Sequence, residues 1–529
     1  MKWILIGIVL LGFALRIIGL SNHPAGFTPD EASFGYDSYS ILKTGKDQWG
    51  NTMPLVFKSF GDDKLPVYTY LAVPSVAIFG LNEFAVRLPN AILGSLAVVV
   101  VYFLVKELFK GEKLALLSAF LIAISPWNVM LSRGAFEANL TTFFLPLAIL
   151  LFLKSFENKK LLWLSFVIFI VNIFTYHTAR ILSPAILLSL IFIYKDKLKS
   201  EKLFNKTFIF SIILLLVSVT GVLFGGSRLT SSGIFDLGFA NDRYLAQQVG
   251  EPNFISKIFY NKPIYISKQF FTNYFSYFSP QFLFTNGPAE GTYGMVPGVG
   301  VLYFVEIIFL IGFIWKLIKN NSKEINLFLF WILISPIPAA LTKGPGYAAN
   351  RAAFMMPAIE IILAIGGIFI YESLKKEWKK SFLVMSSILF FVNFIYVAEK
   401  YWVGETVNQS SAMIYGMDQV VKNINDKNQN IIISKSISEP QIYIAFYTKM
   451  DPSKYQNSSR NWNLVNGWVD QQGEYSLGKY TFRNLNYDVD KKLTNTILVG
   501  KPDEFQEKVA PTKEIVYPSR SEAYWIIND

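Results

Sequence analysis

The chain has 529 residues, 52% hydrophobic, 16% aromatic and only 16% charged, with a formal net charge of +11; its mean hydropathy of +0.36 excludes an ordinary soluble enzyme and makes a membrane protein the default class. The absence of cysteine and the presence of only two histidines, His23 and His177, exclude a thiol nucleophile, a zinc–thiolate site, a disulfide framework and a histidine-rich metal cluster. The excess of lysine and arginine would point to nucleic acid in a soluble protein, but its placement along the loops points to the membrane instead.

A spanning helix needs about 20 mainly apolar residues, and about eleven segments fit that pattern. They fall near 3–20, 84–105, 114–131, 138–153, 161–176, 179–194, 207–225, 299–318, 325–342, 352–371 and 381–398. The first reads as an uncleaved span: Arg16 interrupts its apolar run, and no small-residue cleavage site follows at His23-Pro24-Ala25. Lysine-rich stretches at 106–113, 154–160, 195–206, 316–323 and 375–380 occupy alternate loops, which assigns those loops and Met1 to the cytoplasm. The opposite, outer face then carries the loops 21–83 and 226–298, the turns bearing Arg133 to Glu137 and Lys343 to Arg351, and everything after 399. Residues 1–400 are expected to form a transmembrane domain and 401–529 a small extracytoplasmic α/β domain. In the latter, helices are predicted at 418–425 and 439–447, and strands at 431–434, 496–499, 513–517 and 523–527.

The polar motifs concentrate in the outer loops. Asp30 and Glu31 follow Pro29 at a membrane boundary, where carboxylates are costly unless they serve a purpose; the same residues also read as a plain helix start with acids in its first turn. Further along, Gly61-Asp62-Asp63-Lys64-Leu65-Pro66 closes an acidic turn with one lysine. Lys64 is suited to an anionic lipid headgroup, or equally to pairing with Asp62 or Asp63. Residues 67–81 are apolar but broken by Pro74, the pattern of an interfacial segment. Arg133 and Glu137 open the fourth predicted span and fit a capping ion pair. His177 and Arg180 occupy a tight turn in which Arg180 can snorkel, and Arg351 at a helix start has the fork geometry for phosphate. No Walker-type glycine loop occurs, so nothing suggests nucleotide hydrolysis.

In order, Asp30-Glu31, Gly61-Asp62-Asp63-Lys64-Leu65-Pro66, Arg87-Leu88-Pro89, Ser132-Arg133 to Glu137, Phe278-Ser279-Pro280, and Arg351 with Pro357 resemble glycosyltransferase family 39, which includes protein O-mannosyltransferases and lipid A aminoarabinose transferases. The resemblance runs over residues 1–400, is strongest in the first 140, and lies in motif order. It implies the C-type glycosyltransferase fold and a polyprenyl-phosphate-linked sugar as donor. By the same resemblance Asp30 is the acid that activates the acceptor and Glu31 its partner, Lys64 contacts the carrier phosphate, and Glu137 is a second acid of the cavity. The passage 286–295 lacks the basic residues that relatives often place before Pro297.

The expected function is therefore transfer of a sugar from a polyprenyl-phosphate carrier to an acceptor hydroxyl on a protein, lipid or glycan. It would occur at the outer face of the cytoplasmic membrane by an inverting single displacement, with no cofactor and no metal. Asp30 and Glu31 are the catalytic candidates; Lys64, Asp62, Asp63, Glu137, Arg133, His177, Arg180 and Arg351 are candidates for holding substrate or carrier phosphate. A transporter or flippase of a lipid-linked or anionic substrate is the alternative. Against it, most span centres lack acids, Glu306 and Glu360 excepted, and the two halves of the chain do not resemble one another.

Overall fold

In the computed structural model the described residues are 1–61, 63–224, 233–234, 261–289, 291, 293–342, 348–464, 469, 472–505 and 509–528. Asp62, about half of the predicted outer loop 226–298 and residues 343–347 lie outside them. Every predicted span coincides with helix. The bundle comprises α1 (Lys2–Ile17), α2 (Pro29–Thr44), α3 (Pro66–Phe79), α4 (Glu83–Phe109), α5 (Glu112–Ile124), α6 (Pro126–Ser132), α7 (Thr141–Lys154), α8 (Lys160–Ile173), α9 (His177–Ser200) and α10 (Phe204–Phe224). It continues with α11 (Lys262–Ser276), α12 (Glu306–Lys319), α13 (Lys323–Ile334), the short α14 (Ile337–Ala340), α15 (Ala358–Ser373) and α16 (Lys376–Glu399).

Among the described residues five helical stretches, Glu83–Phe109, Glu137–Lys154, His177–Ser200, Lys323–Ala340 and Lys376–Asn408, are individually long and apolar enough to cross a membrane. Of the others, α1, α8, α12 and α15 are shorter than the sequence pattern suggests. The predicted span 299–318 becomes helical only at Glu306, and the span 352–371 only at Ala358, after Pro357.

The predicted third span is broken rather than continuous: α5 and α6 meet at a 53° bend. Pro126 has no N–H to donate to Ile122, so the last carbonyls of α5 are left open inside the bundle. Arg16, fully buried, fills that role from α1. Its Nη2 donates to Ile122 O at 3.0 Å and its Nη1 to Ala123 O at 2.9 Å and Gly12 O at 2.7 Å. Nη2 also reaches Asn128 Oδ1 at 2.5 Å, which enters a buried amide and hydroxyl network with Ser132, Asn139 and Asn90. The arginine that breaks the first apolar run thus closes the break in the third span. Unsatisfied backbone at that depth would otherwise cost several kcal/mol per group.

After the bundle, a six-stranded sheet has the order β4 (Tyr475–Leu477), β5 (Tyr480–Arg483), β3 (Asn430–Ser434), β6 (Thr496–Gly500), β8 (Glu522–Asn528), β7 (Lys513–Val516). β3 runs parallel to both β5 and β6, while the outer strands are antiparallel to their neighbours. Parallel neighbours need crossovers, and these include the helices α18 (Pro440–Tyr447) and α19 (Pro452–Ser459), which follow α17 (Met417–Ile424) and β3 in the chain. One face of this layer is packed onto α2 and α4: the apolar core is continuous from Phe34, Tyr68 and Val86 to Ile442, Phe446 and Tyr455.

Candidate active site

Helix α2 begins with a capping box. Thr28 Oγ1 accepts the N–H of Glu31 at 3.3 Å, and Glu31 Oε2 accepts the N–H of Thr28 at 3.1 Å, with Pro29 in the first turn where its missing N–H costs nothing. The reading of a helix start is therefore physically present, and it separates the two adjacent acids.

Glu31 turns inward and is fully buried. Its Oε1 lies 2.8 Å from Arg87 Nε, its Oε2 accepts from Arg87 Nη2 at 3.2 Å, and Oε1 also accepts the Ala135 N–H at 3.0 Å. Arg87, equally buried, uses its remaining donors on the carbonyls of Leu20 at 3.2 Å, Pro24 at 3.1 Å and Gly26 at 2.6 Å. Glu31 and Arg87 thus clamp the loop before α2, helix α4 and the turn after α6 into one body. A buried ion pair of this kind survives only when its hydrogen-bonding capacity is filled on both sides.

Asp30 turns outward. Its side chain is 46% exposed and its Oδ1 lies 2.8 Å from Lys64 Nζ, which also donates to the Asp30 carbonyl at 3.2 Å. Lys64 itself is buried, with its ammonium over the rings of Phe34 at 4.4 Å and Phe60 at 5.4 Å. Its place is set by the two-stranded ribbon β1 (Phe57–Lys58) and β2 (Asp63–Lys64), which pairs Phe57 with Lys64, and by Pro66 at the start of α3. The lysine that the sequence leaves between Asp62, Asp63 and an external anion is paired with Asp30.

The other sequence candidates divide. His177, at the start of α9, brings Nε2 within 2.8 Å of the Asp63 carbonyl, so it joins the ribbon that presents Lys64. Arg180 follows one turn later in the same helix and is buried. Glu137 opens the short 3-10 segment Glu137–Leu140 just beyond Ala135, whose N–H holds Glu31. Arg133 turns elsewhere: Nη1 donates to Leu15 O at 2.8 Å, and the guanidinium lies over the rings of Tyr401 and Trp402 at 5.7 and 5.6 Å. Arg351 is held to the loop before it, donating to Thr342 Oγ1 at 2.8 Å. Asp62 lies outside the described residues.

Two features were missed in the sequence. The first is Asp37, two turns after Asp30 on the same face of α2. It is buried and receives the Gln48 N–H at 2.9 Å and the Gln48 side-chain amide at 3.2 Å. Burial, with Asp47 close by, pushes its carboxyl up to about 8, against the opposing pull of the Gln48 hydrogen bonds and of Lys64. Spacing of seven from Asp30 was the available signal. The second is the wall that the C-terminal sheet region builds along α2. Tyr443 donates to Phe27 O at 2.7 Å, Tyr36 to Met450 O at 3.1 Å, and Gln456 to Asp47 O at 2.9 Å. Gly35 permits the close approach: a Cβ there would lie 2.5 Å from Val86 and 2.6 Å from Phe446.

The site thus offers a half-exposed carboxylate held by a buried ammonium on a rigidly capped helix. Among the described residues no group of three or more acids and histidines could hold a metal ion.

Comparison with known proteins agrees with this architecture. Residues 63–222 match the family described as dolichyl-phosphate-mannose-protein mannosyltransferase. The mannosyltransferase candidate YkcB of Bacillus subtilis (strain 168) is 35% identical over 111 residues, covering 21% of this chain and 15% of that one. An uncharacterized protein of Aquifex aeolicus (strain VF5) is 26% identical over 166 residues, covering 31% of this chain and 32% of that one. The chain therefore matches less than a third of the length of either relative. Over 99% of the chain and 98% of the other, the fold is that of ArnT from Cupriavidus metallidurans bound to undecaprenyl phosphate, with a TM-score of 0.55 at 12% identity. The apo state of the same protein gives a TM-score of 0.55 at 11% identity.

The fold is that of a polytopic membrane protein and is shared with ArnT. Within that fold, residues 63–222, from β2 to α10, are similar to the dolichyl-phosphate-mannose-protein mannosyltransferase family.

Proposed function

We propose that this chain transfers a sugar from a polyprenyl-phosphate carrier to an acceptor hydroxyl at the outer face of the cytoplasmic membrane. The observation that carries the reading is the Asp30–Lys64 pair: one exposed carboxylate and one buried cation at the mouth of a rigid helix, in a fold shared with a protein whose crystal structure holds undecaprenyl phosphate. In the proposed step the acceptor oxygen attacks the anomeric carbon as its proton passes to Asp30. The bond from that carbon to the phosphate oxygen breaks, and polyprenyl phosphate departs with inversion at carbon. Lys64 has one N–H beyond the two directed at Asp30, which suits it to the charge that develops on the departing phosphate. Glu31 acts through Arg87 to hold the turn, a positioning role beside the catalytic one of Asp30. His177 fixes the Lys64 ribbon, and no metal is required by this scheme.

The test offers membranes containing the protein a set of radiolabelled polyprenyl-phosphate sugars and follows which label leaves the lipid. A positioned general base contributes about 10²- to 10⁴-fold, so Asp30→Asn is expected to lower transfer by that factor while the protein stays folded. Transfer by Asp30→Asn at the wild-type rate, or no transfer from any carrier by the wild type, would refute the assignment, the latter favouring a transporter.

A further inference from the structure

Away from Asp30, the C-terminal region contains a cleft of about 490 Å³, within the range of about 300 to 1,000 Å³ usual for small-ligand sites. It opens between the end of α19 and the β4–β5 hairpin and is lined by Asn461, Trp462, Asn463, Gln472, Glu474 and Tyr475. This lining combines amides, a carboxylate and two aromatic rings, with no aliphatic side chain among them.

Trp462 is half-buried and fixed edge-on by three neighbours, with ring centroids 5.3 Å from Tyr455, 5.2 Å from Tyr475 and 5.9 Å from Trp49. Its Nε1 donates to Ser476 O at 3.1 Å. The indole is therefore a rigid platform whose polar edge is already used, leaving ring surface for a ligand. Gln472 is more than nine-tenths buried and its Oε1 accepts the Asn463 N–H at 2.8 Å, which fixes the backbone that carries Asn463 at the rim of the cleft.

We propose that this cleft binds an oligosaccharide and that the saccharide is the acceptor of the transferase. Stiff aromatic surface surrounded by planar amides and a carboxylate matches the alternating C–H faces and hydroxyl rims of a sugar chain. An extended peptide would dock by strand addition, but on the edge strand β4 the Ser476 carbonyl is taken by the Trp462 indole, and the described lining residues offer no pocket for an apolar side chain. Position supports the acceptor role. Gln456 of α19 bonds Ser40 Oγ and Thr44 Oγ1 at the far end of α2, so the cleft and Asp30 lie at opposite ends of one helix, roughly 20 Å apart at about 1.5 Å per residue. A chain of several sugar units can span that distance and present its terminal hydroxyl to Asp30. The acceptor assignment rests on the transferase reading, whereas saccharide binding does not.

The experiment uses the full-length protein in nanodiscs, with no lipid-linked donor present, and saturation-transfer NMR with mannotriose, chitotriose and trigalacturonate as probes. At least one probe is expected to bind, and Trp462→Ala and Gln472→Ala are each expected to weaken it about tenfold. Because Trp462 is packed among aromatics, Asn463→Ala and Glu474→Gln, both on the exposed rim, serve as variants with no folding risk and should each weaken binding several-fold. Asp30→Asn should bind as the wild type does, which separates loss of the cleft from loss of the chemistry. Absence of binding by all three probes, binding unchanged in all four cleft variants, or occupancy only by a Ser/Thr-rich peptide would overturn the proposal.

Discussion

The two neighbouring acids should respond to the same conservative change in opposite ways. Glu31→Gln keeps the shape of the side chain but removes the charge facing Arg87, a guanidinium with no exposure of its own. Losing one member of a buried, hydrogen-bonded pair costs about 3–5 kcal/mol, because the other is left uncompensated. Arg87 still has the carbonyls of Leu20, Pro24 and Gly26, which places the expected loss toward the lower end of that range. Asp30→Asn leaves the buried Lys64 without its charge partner, but the Asp30 carbonyl and an asparagine Oδ1 still accept from Nζ at a side chain that is 46% exposed, so the expected loss is about 1 kcal/mol, the upper end for exposed pairs. The assay is thermal unfolding of both variants in the same nanodiscs, together with transfer activity. Glu31→Gln should unfold several degrees earlier and lose activity in step with its folded fraction, whereas Asp30→Asn should unfold close to the wild type and lose transfer. Equal unfolding midpoints for the two variants would refute the division of roles between them.

Other expectations follow from the same structure. Lys64→Gln should reduce transfer by about 10²-fold or more, the scale for loss of one charge-stabilising donor, and the loss should persist at saturating donor; a change in KM alone, measured by initial rates, would contradict it. Arg16→Met leaves the carbonyls of Ile122 and Ala123 open at the broken span and should destabilise the protein by several kcal/mol, seen as early unfolding or as protease sensitivity after insertion. Asp37, held up near 8 in the fold, keeps a proton that the unfolded chain releases above its ordinary carboxylate value. Its contribution to stability is therefore complete below that value and is lost as pH rises toward 8. Asp37→Asn should flatten the decline in unfolding midpoint between pH 5 and pH 8, and an unchanged slope would argue against it. Gly35→Ala forces a methyl group against Val86 and Phe446 and should cost about 1–3 kcal/mol, read as faster limited proteolysis between α16 and α17.

Much of the bundle was legible because lipid imposes a simple demand, a long apolar run, and each such run in this chain is helical. Two of the C-terminal helices, α17 and α18, and four of its strands were legible from local pattern, whereas α19 was not. The β4–β5 hairpin was not recognised, although Tyr475-Ser476-Leu477 and Tyr480-Thr481-Phe482 alternate around Gly478, whose φ of 62° is the turn signal. Partnerships were a different matter. Nothing local announces that Glu31 will meet Arg87, that Lys64 will choose Asp30 over Asp63, or that Arg16 will close a gap left by Pro126. Each is decided by which helices pack together, so a charge that looks like a defect or a lipid contact in the sequence becomes a tertiary tie. Asp37 illustrates the converse: it resembles an ordinary solvated helix acid until Gln48 and Asp47 enclose it.

The wall along α2 has a consequence in time. The residues that brace this helix, Tyr443, Phe446 and Gln456, emerge from the ribosome long after Asp30 and Lys64. Until they arrive, the helix carrying Asp30 has one flank bare. A nascent or prematurely terminated chain would therefore carry Asp30 and Lys64 without the wall that braces α2.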